Sequence, residues 1–153
     1  MDKNVSIRSK HFVQMTEQIR LSYAHLLKMY MQLCQRYKLL KKGHSDVEEM
    51  KKIFHQVDRY FYDETGKINW NIIHPLMPPN IEKNIKKEYD ALNEKEIKLC
   101  CLLLFDISVN DISDILLYTH RSVHSITYRI KQKTGMIDIK ASLKNLLLND
   151  RIE

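Results

Sequence analysis

A seven-residue apolar repeat near the start of the chain limits what the rest can fold into. Phe12, Ile19, Leu26, Leu33 and Leu40 stand seven apart. Thr16, Tyr23, Tyr30 and Tyr37 take the alternate positions, so the pattern steps by three and four without a break. That spacing predicts one long α-helix lying against another helix. Val13, Leu27 and Cys34 widen the apolar stripe on one flank, Met15 and Met29 on the other. A stripe so wide fits an intramolecular bundle as well as a two-stranded coil. Phe12, Ile19, Tyr23, Leu26, Tyr30, Leu33, Tyr37 and Leu40 are therefore expected to form either a homodimer seam or the inner face of a hairpin.

The residues after Leu40 suggest the hairpin. Lys41-Lys42-Gly43 reads as a helix stop, with cations in the last turn and Gly beyond it. Ser45 with Glu48 forms a capping box, and Val47, Met50, Ile53 or Phe54, Val57, Tyr60 and Phe61 give a second helical face to about Tyr62. Asp63–Ile68 momentarily resembles a calcium loop. With Gly66 at its sixth position, however, Phe61 and Ile72 would stand where carboxylates are required, so a plain turn is expected. Pro75, Pro78 and Pro79 then predict a stiff connector, with Trp70, Ile72 and Ile73 packing it onto a neighbour. A short charged helix over 81–89 leads into the last unit. With 44% hydrophobic residues, three Gly and three Pro in 153, an all-α fold is expected. The expected division is a helical hairpin over 1–62, a connector over 63–91 and a C-terminal unit over 92–153.

That unit is punctuated by caps. Asn93 with Glu96 opens a helix to about Phe105 that is apolar nearly all round and must be covered on several sides. Ser108 caps a short helix with Val109, Ile112, Ile115 and Leu116 on one face, and Thr119 caps the next. Val123, Ile126 and Ile130 mark the buried side of that helix, Gly135 ends it, and Ile139, Leu143, Leu146 and Leu147 give a last short helix. No acidic residue stands between Thr119 and Lys133, while Arg121, Arg129, Lys131 and Lys133 do. A helix exposing only cations and hydrogen-bonding groups suits the DNA major groove, where phosphates flank readable base edges.

Charge is distributed to match. Residues 1–42 carry nine Lys/Arg against two acids, 43–118 nine against fourteen, and 119–153 seven against three. A basic end that coincides with the second of two closely joined helices is an electrostatic footprint for nucleic acid. No P-loop, GxGxxG, GxSxG or paired-carboxylate arrangement is present, so no enzyme is expected. His120 and His124 stand at i, i+4 with no third ligand nearby, so neither a metal nor a cofactor is expected. Cys34, Cys100 and Cys101 make no CxxC pattern and fit a reducing cytoplasm. No stretch is long enough for a membrane span, and no signal peptide is expected.

The motifs in series resemble the LuxR/GerE-type helix-turn-helix domain of bacterial transcription regulators. They are Leu92-Asn93-x-x-Glu96, then Ile107-Ser108-x-x-Asp111-Ile112-Ser113-x-x-Leu116. Tyr118-Thr119-x-x-Ser122-Val123 comes next, and the series ends in Ile130-x-x-Lys133-x-Gly135. The similarity is ungapped and covers about residues 92–148. It implies a recognition helix over 119–133, with His124, Ser125 and Tyr128 towards base edges. Arg121, Ser122, Arg129, Lys131 and Lys133 would then meet phosphates. Double-stranded DNA is the implied partner, bound as a homodimer, with RNA polymerase or an upstream sensor as further partners. Asp106 stands where the family has Gly, and Asp106, Asp111 and Asp114 would repel phosphates if they faced the backbone. Two alternatives stand beside this reading: a helical protein-interaction adaptor with a degenerate helix-turn-helix, and a sigma-factor-like region.

Overall fold

A computed structural model describes the backbone over 3–44 and 46–151 and side chains over 10–147 apart from residue 45. The fold is all-α. In chain order the described helices are α1 (Lys3–Gly43), α2 (Glu48–Phe61), α3 (Trp70–Ile73), α4 (Ile81–Glu88), α5 (Glu94–Leu104), α6 (Val109–Leu116), α7 (His120–Thr134) and α8 (Ile139–Leu143). Single 3-10 segments follow α3 (His74–Leu76) and α8 (Lys144–Arg151).

α1 is one continuous helix because no Gly or Pro interrupts residues 3–42, and Gly43 ends it as expected. The expected cap residue Ser45 lies outside the described residues; α2 begins at Glu48, with Val47 at the N-cap position and no side-chain cap. α2 returns along α1. Tyr37 stacks on Phe61 and meets Phe54 edge-on, and its hydroxyl donates to the Phe54 carbonyl at 3.0 Å and to Asp58 at 2.6 Å. Lys41 also pairs with Asp58, at 2.6 Å.

The repeat of α1 splits in two. Thr16, Ala24, Leu27, Met31, Cys34 and Tyr37 are buried, with Tyr23 and Tyr30 packed against the core. Phe12, Leu26, Leu33 and Leu40 are 41–55% exposed. Within the chain, then, the tyrosine half of the expected seam is used and the phenylalanine–leucine half is not. The inward stripe is made of Thr16, Tyr23, Tyr30 and Tyr37 together with Arg20, Leu27 and Cys34, with the half-exposed Lys41 at its end, one residue round from the leucines.

The expected boundaries at 62 and 91 do not divide the core. One cluster runs from Ala24 of α1 through Ile68, Ile73, Met77, Ile81 and Ile85 of the connector to Leu146 and Leu147. The connector is not a spacer, because its apolar residues fill the space between α1 and α5. α5 lies at the centre, with Leu99, Cys100, Cys101, Leu102 and Leu104 fully buried, and it packs against α4, α7 and α8.

Arg20 links α1 to this core. It is 3% exposed, and its guanidinium donates to the Leu104 carbonyl at 3.3 Å, to Asp106 at 2.6 Å and to Glu17. Lys140 completes Asp106 at 3.0 Å, and Lys144 reaches Glu17 at 3.0 Å. The expectation that Asp106 would repel phosphates is therefore corrected: two cations from α1 and α8 already neutralise it. Asp106 sits at φ +60° just past α5, a left-handed position that Gly adopts freely and Asp tolerates through its short polar side chain.

The Arg20 hydrogen bond, ahead of burial, holds the Glu17 carboxyl down at about 2. Burial pushes the Asp106 carboxyl up, but Arg20 and Lys140 outweigh it and leave it below the usual range. Both groups bind protons more weakly when folded. Their contribution to stability is present above the ordinary carboxylate range and is lost as pH falls from about 4.5 towards 2. Arg20→Met is expected to cost about 3 kcal/mol by leaving the Leu104 carbonyl without its donor and Asp106 with Lys140 alone. The melting temperature read by circular dichroism at pH 7 would then fall by roughly 10 °C. The wild-type loss of melting temperature between pH 4.5 and 2 would be flatter in the variant.

Candidate nucleic-acid interface

Three side-chain caps hold the helices around the basic surface. Asn93 accepts from the Glu96 N–H at 2.9 Å while Glu96 accepts from the Asn93 N–H at 2.9 Å, the reciprocal box expected for α5. Ser108 accepts from the Asp111 N–H at 3.2 Å, and Thr119 from the Ser122 N–H at 3.1 Å. Leu117, at φ +52°, turns the chain between α6 and α7, so that the two helices are joined by three residues and pack on each other. Gly135, at φ +76°, stops α7, and its N–H donates to the Lys131 carbonyl at 2.8 Å.

α7 is clearly two-sided. Val123, Ile126 and Ile130 are buried against α5 and α6. Arg121, His124, Ser125, Tyr128, Arg129, Lys131 and Gln132 are exposed, Tyr128 by 65%. At ~100° per residue, His124, Tyr128, Arg121 and Ser125 fall within about 100° of the helix surface. Lys131 lies on one edge of that face and Arg129 on the other. Ser122 is half-buried, accepting from the Thr119 hydroxyl at 3.0 Å within the cap.

Lys133 departs from its expected role. Its ammonium turns back to Glu96 at 2.7 Å, and Glu96 is 2% exposed. The pair clamps the end of α7 to the start of α5, leaving Lys133 a structural cation rather than one aimed at an outside phosphate. Burial pushes the Glu96 carboxyl up, but the Asn93 N–H and Lys133 outweigh it and hold it below the usual range.

Beside α7 an open cleft of about 490 Å³ is lined by Lys95, Tyr118, Arg121, Ser125 and Arg129, among others. Lys95 was not legible as a site residue. It falls in the free x-x of Asn93-x-x-Glu96, and only the packing of α5 on α7 sets it beside Arg121 and Arg129. The acids of α6 are not offset in the way Asp106 is: Asp111 accepts from the neutral Gln35 amide of α1 at 3.3 Å, and Asp114 is exposed. Among the described residues no helix is long and apolar enough to cross a membrane.

No family model, curated protein or solved structure matches this chain.

The two roles of lysine on α7 separate by stability. Lys133→Met leaves the buried Glu96 carboxylate without its cation and is expected to cost about 3 kcal/mol. Lys131→Met, at an exposed position, is expected to stay within about 0.5 kcal/mol of wild type. Urea midpoints of the two variants check this; equal midpoints would refute the inward role of Lys133.

Proposed function

We propose that the chain is a cytoplasmic, sequence-specific DNA-binding regulator of transcription. In this reading residues 92–148 form a LuxR/GerE-type helix-turn-helix domain, and α7 lies in the major groove. The observation that carries the proposal is the chemistry of α7's outward face. It presents guanidinium, ammonium, imidazole, hydroxyl and amide groups with no carboxylate between Thr119 and Lys133, while its apolar side is anchored in the core. The cap at each motif position supports the family reading, as does the left-handed conformation at Asp106, where the family carries Gly.

Roles follow from position on the helix. His124, Ser125 and Tyr128 face base edges, His124 and Ser125 through hydrogen bonds and Tyr128 through its hydroxyl and ring. Arg129 and Lys131, on opposite edges of the face, meet phosphates on the two walls of the groove. Arg121 joins Lys95 on the cleft side, where both cations reach the same backbone. α6 crosses the backbone with its cap end, where the Ser108 hydroxyl caps the first turn and Gln35 of α1 donates to Asp111.

The expected outcome is graded by role. Arg129→Ala or Lys131→Ala weakens binding to all duplexes alike and lowers the salt slope by about one. His124→Ala or Tyr128→Ala instead changes the sequence enriched from a random duplex pool, at about 1–3 kcal/mol per lost base contact. Fluorescence anisotropy at a series of salt concentrations, with selection and sequencing, reads both. If no duplex is retained at low salt and selection enriches nothing, the adaptor reading replaces this one.

A further inference from the structure

α1 carries two seams, and the chain fills only one. The inner seam (Thr16, Arg20, Tyr23, Leu27, Tyr30, Cys34, Tyr37 and Lys41) packs on α2 and the C-terminal core. Moving every position back one residue gives Met15, Ile19, Ser22, Leu26, Met29, Leu33, Arg36 and Leu40, with Phe12 ahead of them. That second set keeps the same alternation of three and four over four heptads, about 100° round the helix. Seven of its nine positions are apolar. Phe12, Leu26, Met29, Leu33 and Leu40 are exposed, Met29 by 53%, and Met15 and Ile19 are half-buried.

We infer that this outer seam is the docking surface for a second copy of the chain, paired α1 to α1 in antiparallel orientation. The seam is ~42 Å long from Phe12 to Leu40, a strip of roughly 400 Å² at one helix width. That is within the range of the largest apolar patch on an ordinary monomer, a patch that is often functional. Its periodicity requires an equally long regular helix opposite it. Among the described helices only α1 has that length; the next longest, α7, has 15 residues.

Charge selects the same occupant. The row along the open edge of the seam is His11, Gln18, His25 and Gln32, with no Lys, Arg, Asp or Glu. A foreign acidic or basic helix would find no ion-pair partners there, whereas two copies meet without like-charge repulsion. Arg36 sets the direction. A parallel pair in register would place two Arg36 side chains in one layer, and two Ser22 in another. The antiparallel register that pairs Met15 with Leu40 and Leu26 with Met29 puts Arg36 across from Ile19, with its guanidinium free to reach water. The inner faces, and with them both α7 helices, remain outside the pair.

The test uses the full chain. Light scattering is expected to give twice 18.3 kDa. Leu26→Glu and Leu33→Glu are expected to weaken dimerisation at least ~100-fold by burying an unpaired carboxylate, with helicity unchanged. Leu21→Glu, 49% exposed and outside both the seam and its edge row, is expected to leave the dimer intact. Under oxidation, a mixture of Met15→Cys and Leu40→Cys proteins is expected to form the mixed disulfide in preference to either self-linked species. A monomeric wild type, or a dimer indifferent to Leu26→Glu and Leu33→Glu, overturns the interface. Self-linked Leu40→Cys without the mixed product overturns the antiparallel direction. None of these measurements involves DNA, so the interface stands or falls separately from the groove-binding reading.

Discussion

The structure depends on burying one guanidinium. Arg20 cannot be placed at 3% exposure unless its donors are met, and its partners come from two distant parts of the chain: Glu17 from α1 itself, the Leu104 carbonyl and Asp106 from the end of α5. A charge so placed is costly to strand, so the position of α1 relative to α5 is fixed more sharply than apolar packing alone would fix it. The network then extends through Lys140 and Lys144 to α8 and the segment after it. A substitution on α1 can therefore be felt at the far end of the chain without touching α7.

That anchoring explains why α7 is free to present its outer face. α5 is enclosed by α1, α4, α7 and α8 and needs no further cover. Glu96 and Lys133 tie α7 to it at one end, and the Thr119 cap and the turn at Leu117 fix the other. Between those two fixings only Val123, Ile126 and Ile130 are committed to the core. The remaining positions of α7 carry almost no structural duty, and there the chain places its uninterrupted run of cationic and hydrogen-bonding side chains.

Elements set by local chemistry were legible in the sequence. The helices of the C-terminal unit, their caps at Asn93, Ser108 and Thr119, the stop at Gly135 and the buried trio of α7 all follow from contacts within four residues. What was not legible depended on partners far along the chain. Nothing near Asp106 announces that Arg20, 86 residues away, will neutralise it. Lys133 differs from Lys131 in standing seven residues after the buried Ile126, beside the core-facing side of the helix, but nothing near it names the buried Glu96 as its partner. The connector's place in the core was legible in part, since Trp70, Ile72 and Ile73 read as packing it onto a neighbour. Its prolines signal stiffness, but the burial of Met77, Ile81 and Ile85 is decided by the gap between α1 and α5.

The repeat of α1 shows how a correct pattern can hide two surfaces. A stripe of apolar and aromatic residues wider than one seam is consistent with one broad contact or with two narrow ones a residue apart. The seam chosen within the chain is the one holding Arg20 and the tyrosines, where the polar ends of Arg20 and Tyr37 find Asp106 and Asp58 and the rings of Tyr23, Tyr30 and Tyr37 find aromatic neighbours. The phenylalanine, leucines and methionines have no polar end to satisfy and gain from any apolar cover. Groups that demand specific partners fix the intramolecular packing, and those that demand only exclusion of water are left for whatever helix of matching length arrives.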